Sequence, residues 1–195
     1  MKKLRLVLWV VVALAAAGAL YLTTRPKLPA VRSTPTQVSF GGPFTLVDGK
    51  GQPFASSKLA GRPYAIFFGF THCPDVCPTT LARLVKLRRG LGSDQAFRIL
   101  FVTVDPERDG PTEVGRYADL FGAPVLGLTG SPAQIARVKK DYGIFSEKVG
   151  TGETYTVDHT ASVLLFDKNQ KFQATIAPDE SDAAAIAKLR RLTAG

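Results

Sequence analysis

The two cysteines of the chain, Cys73 and Cys77, are separated by three residues in a short polar segment. An apolar run of strand length, residues 64–70, comes before them, and residues 79–89 follow with apolar side chains at helical spacing. The sequence therefore predicts a strand-to-helix turn that places both thiols at the positive end of a helix dipole. That position favours the thiolate, which is the form that attacks disulfides and binds metals.

A disulfide between Cys73 and Cys77 would close a very short loop. Short loops remove little entropy from the unfolded chain, so such a bond contributes little to stability. One structural disulfide is the ordinary expectation for two cysteines in an exported domain. This spacing instead favours a pair that forms a redox-active disulfide or binds a metal.

The elements around this pair are typical of one α/β domain with a thioredoxin-like fold. A β-hairpin is predicted at the amino-terminal end, followed by a strand, a helix, a strand and two further helices. A second hairpin and a last helix complete the domain, and turn residues separate the apolar runs of both hairpins. The predicted elements span residues 44–54, 64–70, 79–89, 98–104, 112–121, 132–142, 161–176 and 182–192.

The loop before the second hairpin faces the cysteine turn in a thioredoxin-like fold, and here it contains His159, one of two histidines. Two thiolates and one imidazole form a soft, three-coordinate donor set that is suited to copper. Structural zinc takes four ligands, and the sequence offers no obvious fourth. Cys73, Cys77 and His159 are therefore the candidate metal ligands. The alternative for His159 is a loop histidine that only makes hydrogen bonds.

Two further residues have a candidate role near these ligands. His72 directly precedes Cys73, so it is expected to point away from a shared metal and to tune or support the thiol rather than bind the ion. Asp105 follows the second apolar strand, at the edge of the sheet where α/β sites assemble. It could orient His159 from behind, and the alternative is an ordinary carboxylate in a strand-end turn.

The amino terminus is basic and then apolar. Lys2, Lys3 and Arg5 precede the uncharged residues 6–22, which are just long enough for a membrane helix of roughly 20 residues. The basic flank predicts a single-pass helix with its amino terminus in the cytoplasm. A cleaved signal peptide is the alternative, because small residues at 15–19 resemble a cleavage site. Both interpretations place the rest of the chain outside the cytoplasm.

The net charge of +9 does not indicate a nucleic-acid-binding protein. Residues 1–32 contain six basic and no acidic side chains, so most of the excess lies beside the predicted anchor, where it matches anionic lipid. Residues 23–39 are rich in Pro, Thr, Ser and basic residues and are typical of a linker. The predicted organisation is therefore an anchor over 1–22, a linker over 23–39 and one domain over 40–195.

Several motifs, in order along the chain, resemble those of the Sco/SenC family. The resemblance extends over most of residues 42–192, and no ligand position departs from it. It implies a membrane-anchored, thioredoxin-like copper protein whose copper ligands fall on Cys73, Cys77 and His159. The motif that contains Asp105 is the family's Asp-Pro-Glu-Arg-Asp turn. The matching segments are residues 44–48, 68–78, 102–109, 128–130 and 157–160.

The resemblance implies a role in assembling the dinuclear copper (CuA) centre of cytochrome c oxidase. A metallochaperone that binds copper(I) or copper(II) and passes it on would be a binding protein rather than an enzyme. The alternative is a thiol–disulfide oxidoreductase that keeps the oxidase's copper-ligand cysteines reduced. A peroxiredoxin-like peroxidase is disfavoured because its Thr-x-x-Cys pattern is absent.

The expected partner in either role is the oxidase subunit that bears CuA, with another copper carrier or a thiol reductant as a further partner. The expected location is the bacterial inner membrane, with the carboxyl-terminal domain on the periplasmic side.

Overall fold

A computed structural model describes residues 40–92, 97–122 and 125–194, together with Trp9, Leu14, Ala16 and Tyr21. Apart from those four residues, the predicted anchor and linker lie outside the described part of the chain and stay predictions. Among the described residues, no helix has the length and apolar character that a membrane crossing requires. The fold is carried by the compact unit Ser39–Gly195.

The strands and helices of the described residues follow one another in the order of a mixed α/β domain. The strands are β1 (Thr45–Asp48), β2 (Pro53–Ala55), β3 (Tyr64–Gly69), β4 (Arg98–Thr103), β5 (Val125–Thr129), β6 (Ser146–Val149), β7 (Thr156–His159), β8 (Val163–Phe166) and β9 (Phe172–Ile176). The helices are α1 (Val76–Arg89), α2 (Pro111–Asp119), α3 (Pro132–Asp141) and α4 (Asp182–Ala194). Two single turns of 3₁₀ helix, Ser56–Leu59 and Gly152–Thr154, lie between strands.

Seven strands form the main sheet, in the order β2-β1-β5-β4-β3-β8-β9. The three central strands, β3, β4 and β5, are parallel, and β1 and β8 flank them in the antiparallel sense. Every residue of β3 is buried, as is every residue of β4 except the first, which explains their continuous apolar runs. The carboxyl ends of these parallel strands meet at one edge of the sheet, and the candidate site lies there.

The structure confirms the predicted thioredoxin-like α/β domain and its amino-terminal hairpin, since β1 and β2 pair in antiparallel register. The segment between α3 and β8, which the sequence predicts only as a loop, forms strands β6 and β7. These two strands make a separate sheet of their own. His159 is the last residue of β7, so one candidate ligand lies on an arm outside the main sheet.

Helix α2 lies so close to the sheet that only glycine fits at two contact points. A Cβ atom on Gly127, in β5, would lie 2.2 Å from the carbonyl oxygen of Val114. A Cβ atom on Gly49 would lie 2.4 Å from the Cα atom of Gly115. Both contacts are with helix backbone, which cannot rotate away as a side chain can. Helix α2 can therefore lie this close to β5 and to the turn after β1 only because both positions are glycine.

We expect Gly127→Ala to lower the free energy of unfolding by about 3 kcal/mol, because the added methyl group forces α2 away from β5. Urea unfolding followed by circular dichroism measures the change. Gly42→Ala is the matched control, since a Cβ atom there meets its nearest neighbours at an ordinary 4.0 Å, and its effect should stay below about 1 kcal/mol. Equal stability of the two variants would contradict the close approach.

Candidate metal centre

The two cysteines lie where β3 turns into α1, as predicted. The helix begins at Val76, and the side chain of the preceding Asp75 makes no capping hydrogen bond. Instead, the backbone N–H of Cys77 donates to Cys73 Sγ at 3.4 Å. Free N–H groups in the first turn of a helix need an acceptor, and a sulfur atom provides one here. Both cysteines are free thiols.

The Cys77 thiol is fully buried at the start of α1. Its sulfur lies over Gly69, where a Cβ atom would come within 2.7 Å of Sγ. Burial raises the pKa of the Cys77 thiol well above its ordinary value. For Cys77, burial therefore opposes the thiolate that the position at the helix start is expected to favour. Cys73 is only half-buried.

His159 approaches the thiols from the opposite side, across 82 residues of chain. Its Nε2 atom lies 3.5 Å from Cys77 Sγ, and its Nδ1 atom lies 3.1 Å from the carbonyl oxygen of Thr160. A carbonyl oxygen can only accept, so Nδ1 carries the proton and the Nε2 lone pair faces the sulfur. Phe67 and Phe70 pack edge-on against the imidazole. Burial lowers the pKa of His159, which favours the neutral ring.

The structure thus brings together the three predicted ligands. One Sγ atom from each of Cys73 and Cys77 and one ring nitrogen of His159 all lie within 4.8 Å of one another. Within the described residues, no other group of three or more His, Cys, Asp or Glu side chains is arranged to hold a metal ion. Two sulfurs and a neutral imidazole are the donor set that soft metals such as copper(I) prefer.

His72 lies outside this group and points away from it, as expected. Its Nδ1 atom is 3.1 Å from Thr71 Oγ1 and 3.5 Å from Asp109 Oδ1. The side chain is about half exposed, at 54 %. The ring therefore faces the polar residues behind the turn.

Asp105 has different partners from the one predicted. Its carboxylate accepts a hydrogen bond from the Tyr155 hydroxyl at 2.7 Å and one from Arg108 Nε at 2.5 Å. Both ring nitrogens of His159 face other atoms. The prediction that Asp105 contacts and orients the imidazole directly is therefore wrong. The turn after β4 directs this carboxylate toward Tyr155, which precedes His159 by four residues. Asp105 therefore reaches the imidazole only indirectly, through Tyr155 or through Arg108.

Asp109 is a site residue for which the sequence predicts no role. It is fully buried and accepts hydrogen bonds from Thr71 N at 2.9 Å, Thr71 Oγ1 at 2.5 Å and Thr103 Oγ1 at 2.7 Å. Thr71 precedes Cys73 by two residues, so Asp109 fixes the start of the cysteine turn. In the sequence, Asp109 looks the same as a solvated turn residue. The one available signal is its place in the Asp-Pro-Glu-Arg-Asp motif.

Fold and site together define a thioredoxin-like domain with a thiol, thiol and imidazole donor set at the carboxyl edge of its sheet. The SCO1/SenC family model matches residues 32–194, and the chain belongs to this family.

Relatives with known names agree with that assignment. An SCO2-like protein of Rickettsia prowazekii is 35% identical over 169 residues, which is 82% of this chain and 82% of the relative. The mitochondrial SCO2 homologue of Mus musculus is also 35% identical, over 77% of this chain and 61% of the relative. The solved structure of Bradyrhizobium japonicum ScoI with copper bound has 40% identity and a TM-score of 0.71. That alignment covers 78% of this chain and 99% of the ScoI chain.

In the reduced, metal-free protein, we expect iodoacetamide to alkylate Cys73 before Cys77. Cys73 is half-buried, whereas Cys77 is fully buried and its raised pKa leaves little thiolate. Peptide mass spectrometry at successive times measures the order. The difference should vanish in concentrated urea, which exposes both thiols. Faster alkylation of Cys77 in the folded protein would contradict the burial.

Proposed function

We propose that this protein is a copper metallochaperone that binds one copper ion through Cys73, Cys77 and His159. The observation that carries the proposal is the convergence of two sulfurs and one imidazole nitrogen within 4.8 Å. Thiolates suit copper(I), and the imidazole nitrogen extends the donor set toward copper(II). The relative in which copper is bound, ScoI of Bradyrhizobium japonicum, supports the choice of metal.

The three ligands differ in exposure, which suits transfer of the ion by ligand exchange. Cys73 and His159 are half-buried, so an incoming ligand can reach them, whereas Cys77 is fully buried. The neutral imidazole offers its Nε2 lone pair toward the thiols, because Thr160 accepts the Nδ1 proton. The acceptor in this proposal is the CuA-bearing subunit of cytochrome c oxidase. Another copper carrier or a thiol reductant would supply the ion or the reduced thiols.

The proposed location follows from the amino-terminal sequence. Residues 1–22 would anchor the chain in the bacterial inner membrane, and residues 23–39 would tether the domain on the periplasmic side. Of the relatives named above, the mouse homologue is mitochondrial. Membrane attachment would keep the copper site near a membrane-bound oxidase.

The second candidate function is a thiol–disulfide oxidoreductase that keeps the copper-ligand cysteines of the oxidase reduced. The observation that favours it is the pair of free thiols, one half-buried and one buried, with the N–H of Cys77 directed at Cys73 Sγ. A half-buried thiol at a helix start can take part in exchange. Dithiol exchange does not require an imidazole, however, whereas a metal site would use the one that lies 3.5 Å from the buried sulfur.

We expect His159→Ala to weaken copper(I) binding by about tenfold or more, because it removes one of three donor atoms. The measurement is an anaerobic titration of the reduced full chain against a competing copper(I) chelator. His72→Ala is the comparison variant and should weaken binding much less than His159→Ala, since that ring contacts Thr71 and Asp109 rather than the thiols. Equal affinity of the parent and His159→Ala would contradict a three-ligand site. A parent with no tight site and rapid thiol exchange would favour the oxidoreductase.

We also expect Gly69→Ala to weaken copper(I) binding, because its methyl group would displace Cys77 Sγ from its place over Gly69. The change should be several-fold and is measured by the same titration, with affinity referred to the folded fraction. Gly42→Ala is the control, because a Cβ atom there meets only Asp141, at an ordinary 4.0 Å, and it should leave the affinity of the folded protein unchanged. An unaltered affinity in folded Gly69→Ala would count against this location of the sulfur.

A further inference from the structure

The turn from Asp105 to Asp109, which joins β4 to α2, contacts both halves of the candidate metal centre. We call these five residues the clamp turn. Asp109 bonds to the segment that carries the cysteines, and Asp105, Glu107 and Arg108 bond to the hairpin that carries the histidine. The segment with the thiols and the hairpin with the imidazole are therefore both bound to the same turn, although they lie far apart in the sequence.

The arm toward the cysteines consists of Asp109 and its hydroxyl partners. Thr71 donates to the Asp109 carboxylate through both its backbone N–H and its hydroxyl group. Thr103, the last residue of β4, donates to the same carboxylate, and Thr129, the last residue of β5, donates to the Asp109 carbonyl oxygen. Asp109 is thus tied to the ends of two central strands while it holds the start of the cysteine turn. A buried carboxylate with this many donors has little freedom to move.

The arm toward the histidine consists of Asp105, Arg108 and Tyr155. The Tyr155 hydroxyl donates to Asp105, and Arg108 Nη1 donates to the Tyr155 carbonyl oxygen at 2.9 Å. The guanidinium group of Arg108 also lies 3.6 Å from the centre of the Tyr155 ring, where a cation is attracted to the ring face. Both ends of Tyr155, backbone and hydroxyl, are therefore bound to the clamp turn.

Three more contacts extend this arm. Lys148, in β6, forms an ion pair with Glu107 and lies 4.8 Å from the centre of the Tyr155 ring. Arg108 also lies 5.9 Å from the centre of the Phe70 ring, which packs edge-on against His159. The clamp turn thus reaches the imidazole both through the hairpin and through an aromatic neighbour.

The hairpin needs such contacts because its strands do not join the main sheet. An isolated two-stranded hairpin is at best marginally stable in water. Val157 is the one fully buried residue of β6 and β7, so apolar burial alone fixes the hairpin weakly. The distance between the imidazole and the thiols consequently depends on side-chain bonds.

We propose that the clamp turn sets the position of His159 relative to Cys73 and Cys77, and that Arg108, Asp109 and Tyr155 are positioning residues of the metal centre. The proposal rests on the proposed function in its use of copper. A site whose donors are held in place before binding loses less entropy when it takes up the ion. Each arm should therefore contribute to affinity without contacting the metal.

The histidine arm is tested with Tyr155→Phe, which removes one hydroxyl bond and keeps the ring. Copper(I) affinity of the full chain should fall about fivefold, the equivalent of one ordinary hydrogen bond. The matched control is Tyr142→Phe, which removes a hydroxyl group that donates to the carbonyl oxygen of Gly42, and it should leave the affinity unchanged. In a His159→Ala background, Tyr155→Phe should have no further effect, because its influence passes through the imidazole.

The cysteine arm is tested with Asp109→Asn and with Thr71→Val. Of the bonds from Thr71 to Asp109, Thr71→Val removes only the hydroxyl bond. It therefore tests the same arm if the buried Asp109→Asn change prevents folding. Both should lower copper(I) affinity several-fold in the parent and by the same factor in the His159→Ala background, because this arm acts on the thiols. The two arms are thus separated by a single background substitution.

A metal-free readout separates failure of this proposal from failure of the proposed function. Tyr155→Phe should speed amide hydrogen exchange of Thr160, whose N–H donates to the Phe145 carbonyl oxygen, and Tyr142→Phe should not. If the parent binds no copper but the Thr160 amide exchanges faster in Tyr155→Phe than in the parent, the proposed function fails and the positioning role of the clamp turn is supported. If the parent binds copper and Tyr155→Phe changes neither affinity nor exchange, or acts equally in the His159→Ala background, the clamp turn is overturned.

Discussion

The buried position of the Cys77 sulfur constrains the rest of the site: the strand before it, the helix that carries it and the imidazole that contacts it. The sulfur has room only because Gly69, at the end of β3, lacks a side chain. Helix α1 has to start where it does so that Cys77 reaches that space, and the imidazole of His159 lies against the same atom at 3.5 Å. A thiol without water or a positive neighbour stays neutral. A soft cation that replaced its proton would meet a donor that is already desolvated and correctly placed.

Two kinds of bonding hold the ligands, and they divide the site in a consistent way. The cysteines belong to the strand and helix that build the apolar core, where β3 and β4 pair along six residues each. The histidine belongs to a small separate sheet that depends on ion pairs, hydroxyl bonds and a cation over an aromatic ring. Burial of apolar surface is non-directional and strong in sum, whereas bonds such as Tyr155 to Asp105 depend on geometry. The first kind holds the strand and helix on either side of the thiols, and the second kind aims the imidazole at them and, through Asp109 and Thr71, fixes the start of the cysteine turn.

The sequence predicts most of the elements and the grouping of Cys73, Cys77 and His159, because each leaves a local signal. Continuous apolar runs mark β3 and β4, and the fold places the loop with His159 opposite the cysteine turn. The burial of Cys77 is harder to predict. Cys77 lies four residues before Leu81, on the same helical face as that buried side chain, and this spacing is the one signal for the burial of Cys77. The partner of Asp105 could not be predicted, because Tyr155 lies in a glycine-rich stretch without periodicity. Asp109 was missed because nothing local separates a buried carboxylate from a solvated one.

The hydrogen bond at the start of α1 offers a way to observe the state of the Cys73 sulfur. The N–H of Cys77 donates to Cys73 Sγ, so the first turn of the helix is completed by the sulfur of a candidate ligand rather than by an ordinary capping side chain. Any event at that sulfur, whether it gains a metal, a bond to another sulfur or a proton, changes the electron density that this N–H meets. The backbone amide of Cys77 is therefore an internal spectroscopic reporter. Its nitrogen and proton resonances would distinguish the free, metal-loaded and oxidised states of the protein without any added label.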